Sequence, residues 1–171
     1  APVGISVVAD RLTGLMLVVA SPVLLAVLLF ATGQPGTEKE QPAFHPVYLV
    51  LAAGISLSFL TGDLFNMFVA FEMMLTASYV LMTVGGRAEQ VRAGMTYVVI
   101  SLIASTLLVS TIGLIYAATG TVNMAQIAER MGHLPDGVRV AFALLLFVVF
   151  GIKAAVFPLF FWLPDSYPSA P

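Results

Sequence analysis

Long apolar runs separated by short polar stretches make up most of this chain. The first covers residues 12–32, enough for one bilayer crossing at ~1.5 Å of rise per residue. Pro22 lies near its middle, and membrane helices tolerate proline where neighbours satisfy the freed carbonyl. A polar connection from Gly33 to Pro46 follows, with Glu38, Lys39 and Glu40. Residues 47–62 form a second, shorter run closed by Thr61-Gly62-Asp63. Gly62 supplies a permissive turn and Asp63 an N-cap, with a place at the mouth of an ion path as the lesser reading of Asp63. Residues 64–84 then run back, which predicts a tight helical hairpin.

Gly85 to Arg92 is a short charged turn, and residues 93–118 are the fourth crossing. Gly94, Ser101 and Ser105 fall near one face of it, and Thr106, Ser110, Gly113 and Ala117 near another. Small-residue faces let membrane helices approach closely, and hydroxyls on such a face can also hold water. Residues 121–131 mix apolar and polar positions at helical spacing, so they predict a short amphipathic helix along the interface, capped by Thr121. The fifth run, residues 138–163, is interrupted. Pro158 cannot donate to the carbonyl of Ala154 and disfavours helix at Phe157. Carbonyls freed in such broken helices can bind cations or water. The whole pattern predicts an all-α, polytopic transmembrane helix bundle with five crossings, the last of them broken.

Composition narrows the class. Of 171 residues, 60% are hydrophobic and 9% charged, against about 25% charged in soluble domains. Only an integral membrane protein in a lipid bilayer fits. The net charge of −2 is too small to point to nucleic acid. With no cysteine, disulfides and thiolate chemistry are excluded. His45 and His133 stand alone in loop-like sequence, so neither a metal site nor a cofactor is expected. Lys39, Arg87 and Arg92 would fall on one side of the membrane and Arg11, Arg130 and Arg139 on the other, which fixes no orientation. The opening Ala-Pro-Val-Gly lacks the basic region of a signal peptide and the chain stops just past a turn-rich stretch. Residues 1–171 therefore read as one transmembrane segment of a longer protein.

Two charges remain deep inside the spans, Glu72 and Lys153, and they have opposite signs. Glu72 sits roughly 12 Å into its helix, and Lys153 lies ~10 Å deeper on a strict count. Tilt and the reach of a lysine can absorb that offset. Intramembrane acids cost on the order of 2.5–3.5 kcal/mol and normally have partners. Glu72, Thr76, Tyr79 and Thr83 share one helical face, which, with Ser101 and Ser105, offers a candidate lining for a hydrated path. Burial and mutual attraction shift the proton affinities of a Glu–Lys pair in opposite senses, so a small change in separation would load or release a proton. The bland alternative is a static buried ion pair that fixes helix packing.

The run Gly62-Asp63-Leu64-Phe65-Asn66-Met67-Phe68-Val69-Ala70-Phe71-Glu72 resembles a signature helix of the antiporter-like subunits. So does Lys153-Ala154-Ala155-Val156-Phe157-Pro158-Leu159-Phe160-Phe161-Trp162-Leu163-Pro164-Asp165. This family is shared by respiratory complex I and the multisubunit Mrp-type Na⁺/H⁺ antiporters, and the resemblance runs from about Asp10 onward. It implies that Glu72 and Lys153 carry out proton transfer beside a helix broken at Pro158, and that the Arg87–Arg92 turn is cytoplasmic. Complex I subunits typically carry histidine where this chain has Tyr167, so Asp165-Ser166-Tyr167 is more similar to the D subunit of Mrp antiporters. The resemblance implies a transport subunit in a prokaryotic cell membrane, handling protons and Na⁺ beside other membrane subunits, rather than an enzyme. A pumping subunit of a redox-driven complex, such as complex I or a membrane-bound hydrogenase, and a structural scaffold are the alternatives.

Overall fold

The computed structural model describes residues 5–33, 42–166 and 168. Among these residues the chain is a bundle of helices with no strand longer than an isolated bridge. In chain order they are α1 (Arg11–Thr32), α2 (Phe44–Leu60), α3 (Leu64–Thr83), α4 (Ala88–Thr119), α5 (Met124–Met131), α6 (Asp136–Lys153) and α7 (Trp162–Ser166). α1, α3 and α4 are long and apolar enough to cross a membrane, and α2 is apolar over 17 residues. α6 has 18 residues and carries Asp136, Arg139 and Lys153.

The helix starts follow local chemistry. The Asp10 carboxylate accepts from the Thr13 amide at 2.7 Å, capping α1. Asp10 is fully exposed, and its hydrogen bonds with the Thr13 amide and hydroxyl hold it below the ordinary carboxylate value. Asp63 caps α3 as expected, accepting from the Asn66 amide at 2.7 Å. α2 begins at Phe44, ahead of the expected residue 47, because Pro46 falls in the first turn, where its missing N–H is harmless. His45 thus lies in a helix, edge-on to Phe44. α4 begins at Ala88, so the charged Glu89 and Arg92 belong to its first turns. α5 is capped by Asn123, whose side chain accepts from the Ala125 and Gln126 amides, and the expected cap Thr121 instead donates to the Gln126 side chain. Most of the loop from Gly33 to Pro46 and the telling Tyr167 lie outside the described residues.

α1 is stitched to α2 by Thr13 donating to the Phe59 carbonyl and Tyr48 donating to the Leu24 carbonyl. Leu17, Ala20, Leu24, Leu28 and Ala31 form a half-buried stripe along it, and its remaining positions, apart from the buried Thr13, are exposed. The core gathers Leu64, Leu108, Ile112, Ile115, Ile127, Phe142 and Val149 from α3, α4, α5 and α6. Along α4, the face with Gly94, Ser101 and Ser105 is buried, while Thr106, Ser110, Gly113 and Ala117 are exposed. A Cβ on Gly94 would stand 2.6 Å from the Thr83 methyl, so glycine lets α3 and α4 close at that level.

One end of the bundle is tied by backbone pairing. The Gly62 amide donates to the Ser6 carbonyl at 2.8 Å, and the Val8 amide to Leu60 at 2.7 Å. On the other side, Leu64 donates to Val122 and Met124 donates to Gly62, each at 2.9 Å. Residues 6–8, 60–64 and 122–124 thus form a three-segment bracket over the start of α3. Gly62 has no positive φ. Its role is close approach, because a Cβ there would lie 2.6 Å from a Val8 methyl and 2.9 Å from the Ser6 hydroxyl.

Candidate functional site

The bracket fixes where α3 starts, and α3 carries Glu72 two turns in. Antiparallel α4 brings Ser101 and Ser105 alongside, and α6 runs parallel to α3 to deliver Lys153 at its last position. α6 stops at Lys153 through a Schellman motif. Ala155 adopts φ 51°, its amide donates to Ile152, and the Val156 amide donates to Gly151. A non-glycine residue in this left-handed conformation costs roughly 1 kcal/mol. The helix therefore ends five residues before Pro158, which lies within the linking segment 154–161 and is not the residue that terminates α6. The carbonyls of the last turn of α6 are engaged at this stop. Gly151 and Ile152 accept from the motif, and Ile152 accepts again from the Trp162 indole at 2.9 Å.

The Lys153 ammonium donates to the Ser105 hydroxyl at 3.1 Å. It stands 5.8 Å from the centre of the Phe71 ring, within range of a cation–π attraction. Phe71 directly precedes Glu72 and meets Phe150 of α6 edge to face, with ring centres 6.2 Å apart. Lys153 thus reaches the side chain that directly precedes Glu72. The Oε1 atom of Glu72 is buried and has no hydrogen-bond partner among the described residues. The ion pair found among those residues is the surface contact of Arg139 with Asp136. Lys153 thus contacts the residue next to Glu72, while Glu72 Oε1 itself has no partner among the described residues.

The other anticipated residues divide. Ser105 reaches Lys153, and Ser101 is buried one turn away on the same face. Thr83 donates to the Tyr79 carbonyl at 2.8 Å, and the Tyr79 hydroxyl reaches the Met95 sulfur at 3.9 Å. Thr76 is on the exposed surface of α3. Sequence reasoning missed a cavity of about 350 Å³ beside the ammonium, lined by Leu51, Phe71, Ser78, Tyr97, Lys153 and Trp162 among others. Trp162 packs on Tyr97 with ring centres 5.5 Å apart. The only tryptophan of the chain, nine residues after the lysine of an apolar run, was the available signal. Among the described residues, no cluster of His, Asp and Glu is placed to hold a metal ion.

Residues 61–171 match the family described as NADH:quinone oxidoreductase/Mrp antiporter, TM. The chain is 46% identical over its whole length to the D subunit of a Na(+)/H(+) antiporter of Alkalihalophilus pseudofirmus, covering 35% of that protein. It is 40% identical to the Bacillus subtilis protein of the same name, again covering 35%. It thus spans about a third of the curated relatives it matches. Among solved structures, 99% of the chain superposes on 32% of a chain in the Mrp complex from Dietzia sp. DQ12-45-1b, with TM-score 0.84 and 36% identity. It matches 35% of a chain in the membrane-bound sulfane sulfur reductase, an archaeal respiratory membrane complex, with TM-score 0.86 and 30% identity over 99% of its own length.

Proposed function

The chain belongs to the NADH:quinone oxidoreductase/Mrp antiporter transmembrane family, and from that membership we propose that it is part of the D subunit of a cation/proton antiporter complex. In this reading it lies in a bacterial cell membrane among other membrane subunits, with α1, α2, α3, α4 and α6 as five crossings and α5 along the interface. Protons pass by way of Glu72 and Lys153, and Na⁺ is the exchanged cation.

The observation that supports the reading is the open arrangement itself. An intramembrane ammonium rests on a neutral hydroxyl beside a cavity, while a carboxylate oxygen one helix away is buried without a partner among the described residues. A static ion pair would close both deficits at once. Leaving them open keeps each group able to change its proton. The test is ΔpH-driven antiport in vesicles containing the whole complex. Glu72→Ala and Lys153→Ala are expected to abolish exchange while the complex assembles, and normal exchange in either overturns the proposal.

The similarity to the respiratory sulfane sulfur reductase chain supports a second reading, a pumping subunit of a redox-driven complex. Iron–sulfur-bearing chains co-purifying with this one would favour it.

A further inference from the structure

We propose that Ser105 is a neutral seat for the Lys153 ammonium, competing with Glu72 for it and so setting the pH at which the site works. The inference rests on the proton-transfer reading above. Ser105 is 4% exposed, and its hydroxyl accepts the hydrogen bond that Lys153 donates. The Phe71 ring supplies a second uncharged contact to the ammonium. Both are neutral, so together they hold the cation without balancing its charge.

The elements packed around Lys153 limit what else can balance it. α2 contributes apolar side chains to the cavity, including Leu51 and Ile55. α4 brings Ser105 and the Tyr97 hydroxyl, and α7 brings Trp162. Among the described residues, the carboxylate whose charge reaches Lys153 is that of Glu72 on α3. The ammonium therefore has two stations. At Ser105 it is solvated by a hydroxyl and a ring. At Glu72 it would be neutralised, and the buried Oε1 would gain its missing donor. A carboxylate partner holds a proton on lysine more firmly than a hydroxyl does. Occupancy of the Ser105 station thus eases loss of the proton, and occupancy of the Glu72 station opposes it.

Ser105 is on this view a positioning residue, acting through Lys153. In vesicles carrying the whole antiporter complex, Ser105→Ala removes the neutral station and leaves Glu72 as the remaining one. The pH profile of exchange, taken per assembled complex, is expected to move to higher pH by about one unit, the size of a charge-assisted hydrogen bond. Ser105→Thr keeps a hydroxyl and is expected to restore the wild-type profile. A Ser105→Ala complex that assembles with an unchanged profile overturns the proposal. So does failure of that variant to assemble, which would assign Ser105 to packing. Lys153→Ala measured in parallel separates the two levels. If it transports normally, the proton-transfer reading falls and the seat with it. If it is inactive while Ser105→Ala is unshifted, the seat alone falls.

Discussion

At the start of α3, the amide and carbonyl of Gly62 both have backbone partners, and Asp63 caps the helix while its own backbone exchanges hydrogen bonds with the Thr61 hydroxyl. Two turns further on, Glu72 leaves a buried oxygen without a partner among the described residues, and across the interface Lys153 holds on to a serine. The same helix thus passes from a fully bonded end to an underbonded middle. The bracket surrounds Gly62 so closely that no side chain fits, whereas the Lys153 site adjoins a cavity of about 350 Å³. Buried polar groups are normally satisfied, and an exception calls for a physical reason. Here the exception sits where the chain also departs from regular structure, with Ala155 left-handed after a helix that stops. On the proposed reading, the bracket end is built for permanence and the middle for change.

Mutations should separate the two regions. The largest effect is expected from Lys153→Ala or Glu72→Ala, which should take exchange in vesicles to background while thermal stability of the purified complex stays near wild type. A large fall in stability with exchange retained would reverse the contrast. Gly62→Val should do the opposite, forcing apart residues 6–8 and 60–64. A destabilisation of about 2 kcal/mol is expected from overpacking, read as a lower melting temperature in detergent, with exchange per assembled complex preserved. Asp63→Ala should lose about 1 kcal/mol of capping, and Asp63→Asn should recover most of it because asparagine caps as well. If Asp63→Asn assembles but fails to exchange ions, Asp63 belongs with the proton path and the boundary between the regions moves.

The smallest effect concerns pH at the bracket end. Asp10 has its affinity for protons lowered by Thr13, so its capping contribution is complete above the ordinary carboxylate value and is lost only as pH falls through the lower folded one. Hydrogen exchange of the Thr13 amide should therefore stay protected in mildly acidic buffer and rise only at lower pH. Loss of protection at about pH 5, above the ordinary carboxylate range, would contradict the cap.

Much of this contrast could be read from the chain, though unevenly. Asp63 was legible as a cap because capping depends on residues three apart. Glu72 and Lys153 stood out because a charge inside an apolar run is costly to bury. The end of α6 was misplaced, since Pro158 is the visible helix breaker while the actual stop uses Ala155, a residue with no preference for positive φ. Ser105 appeared as one of several small polar residues, and only packing of α4 against α6 selects it over Thr76. The bracket left no trace, because it is made by backbone groups from three distant segments, and main-chain hydrogen bonds carry no residue signature.

On the five-crossing reading proposed above, that bracket would also order the events of biogenesis. Ser6 and Asn123 bond to each other 117 positions apart, with Gly62 between them as the shared middle. A nascent chain emerging from its N-terminus can pair residues 6–8 with 60–64 as soon as the α2–α3 hairpin is in place. On the five-crossing reading, the second half must wait until α3 has crossed and α4 has returned. Closure by Val122 and Met124 therefore registers that the intervening helices have been threaded the correct number of times, and an inserted or omitted crossing would place those residues on the opposite side of the membrane.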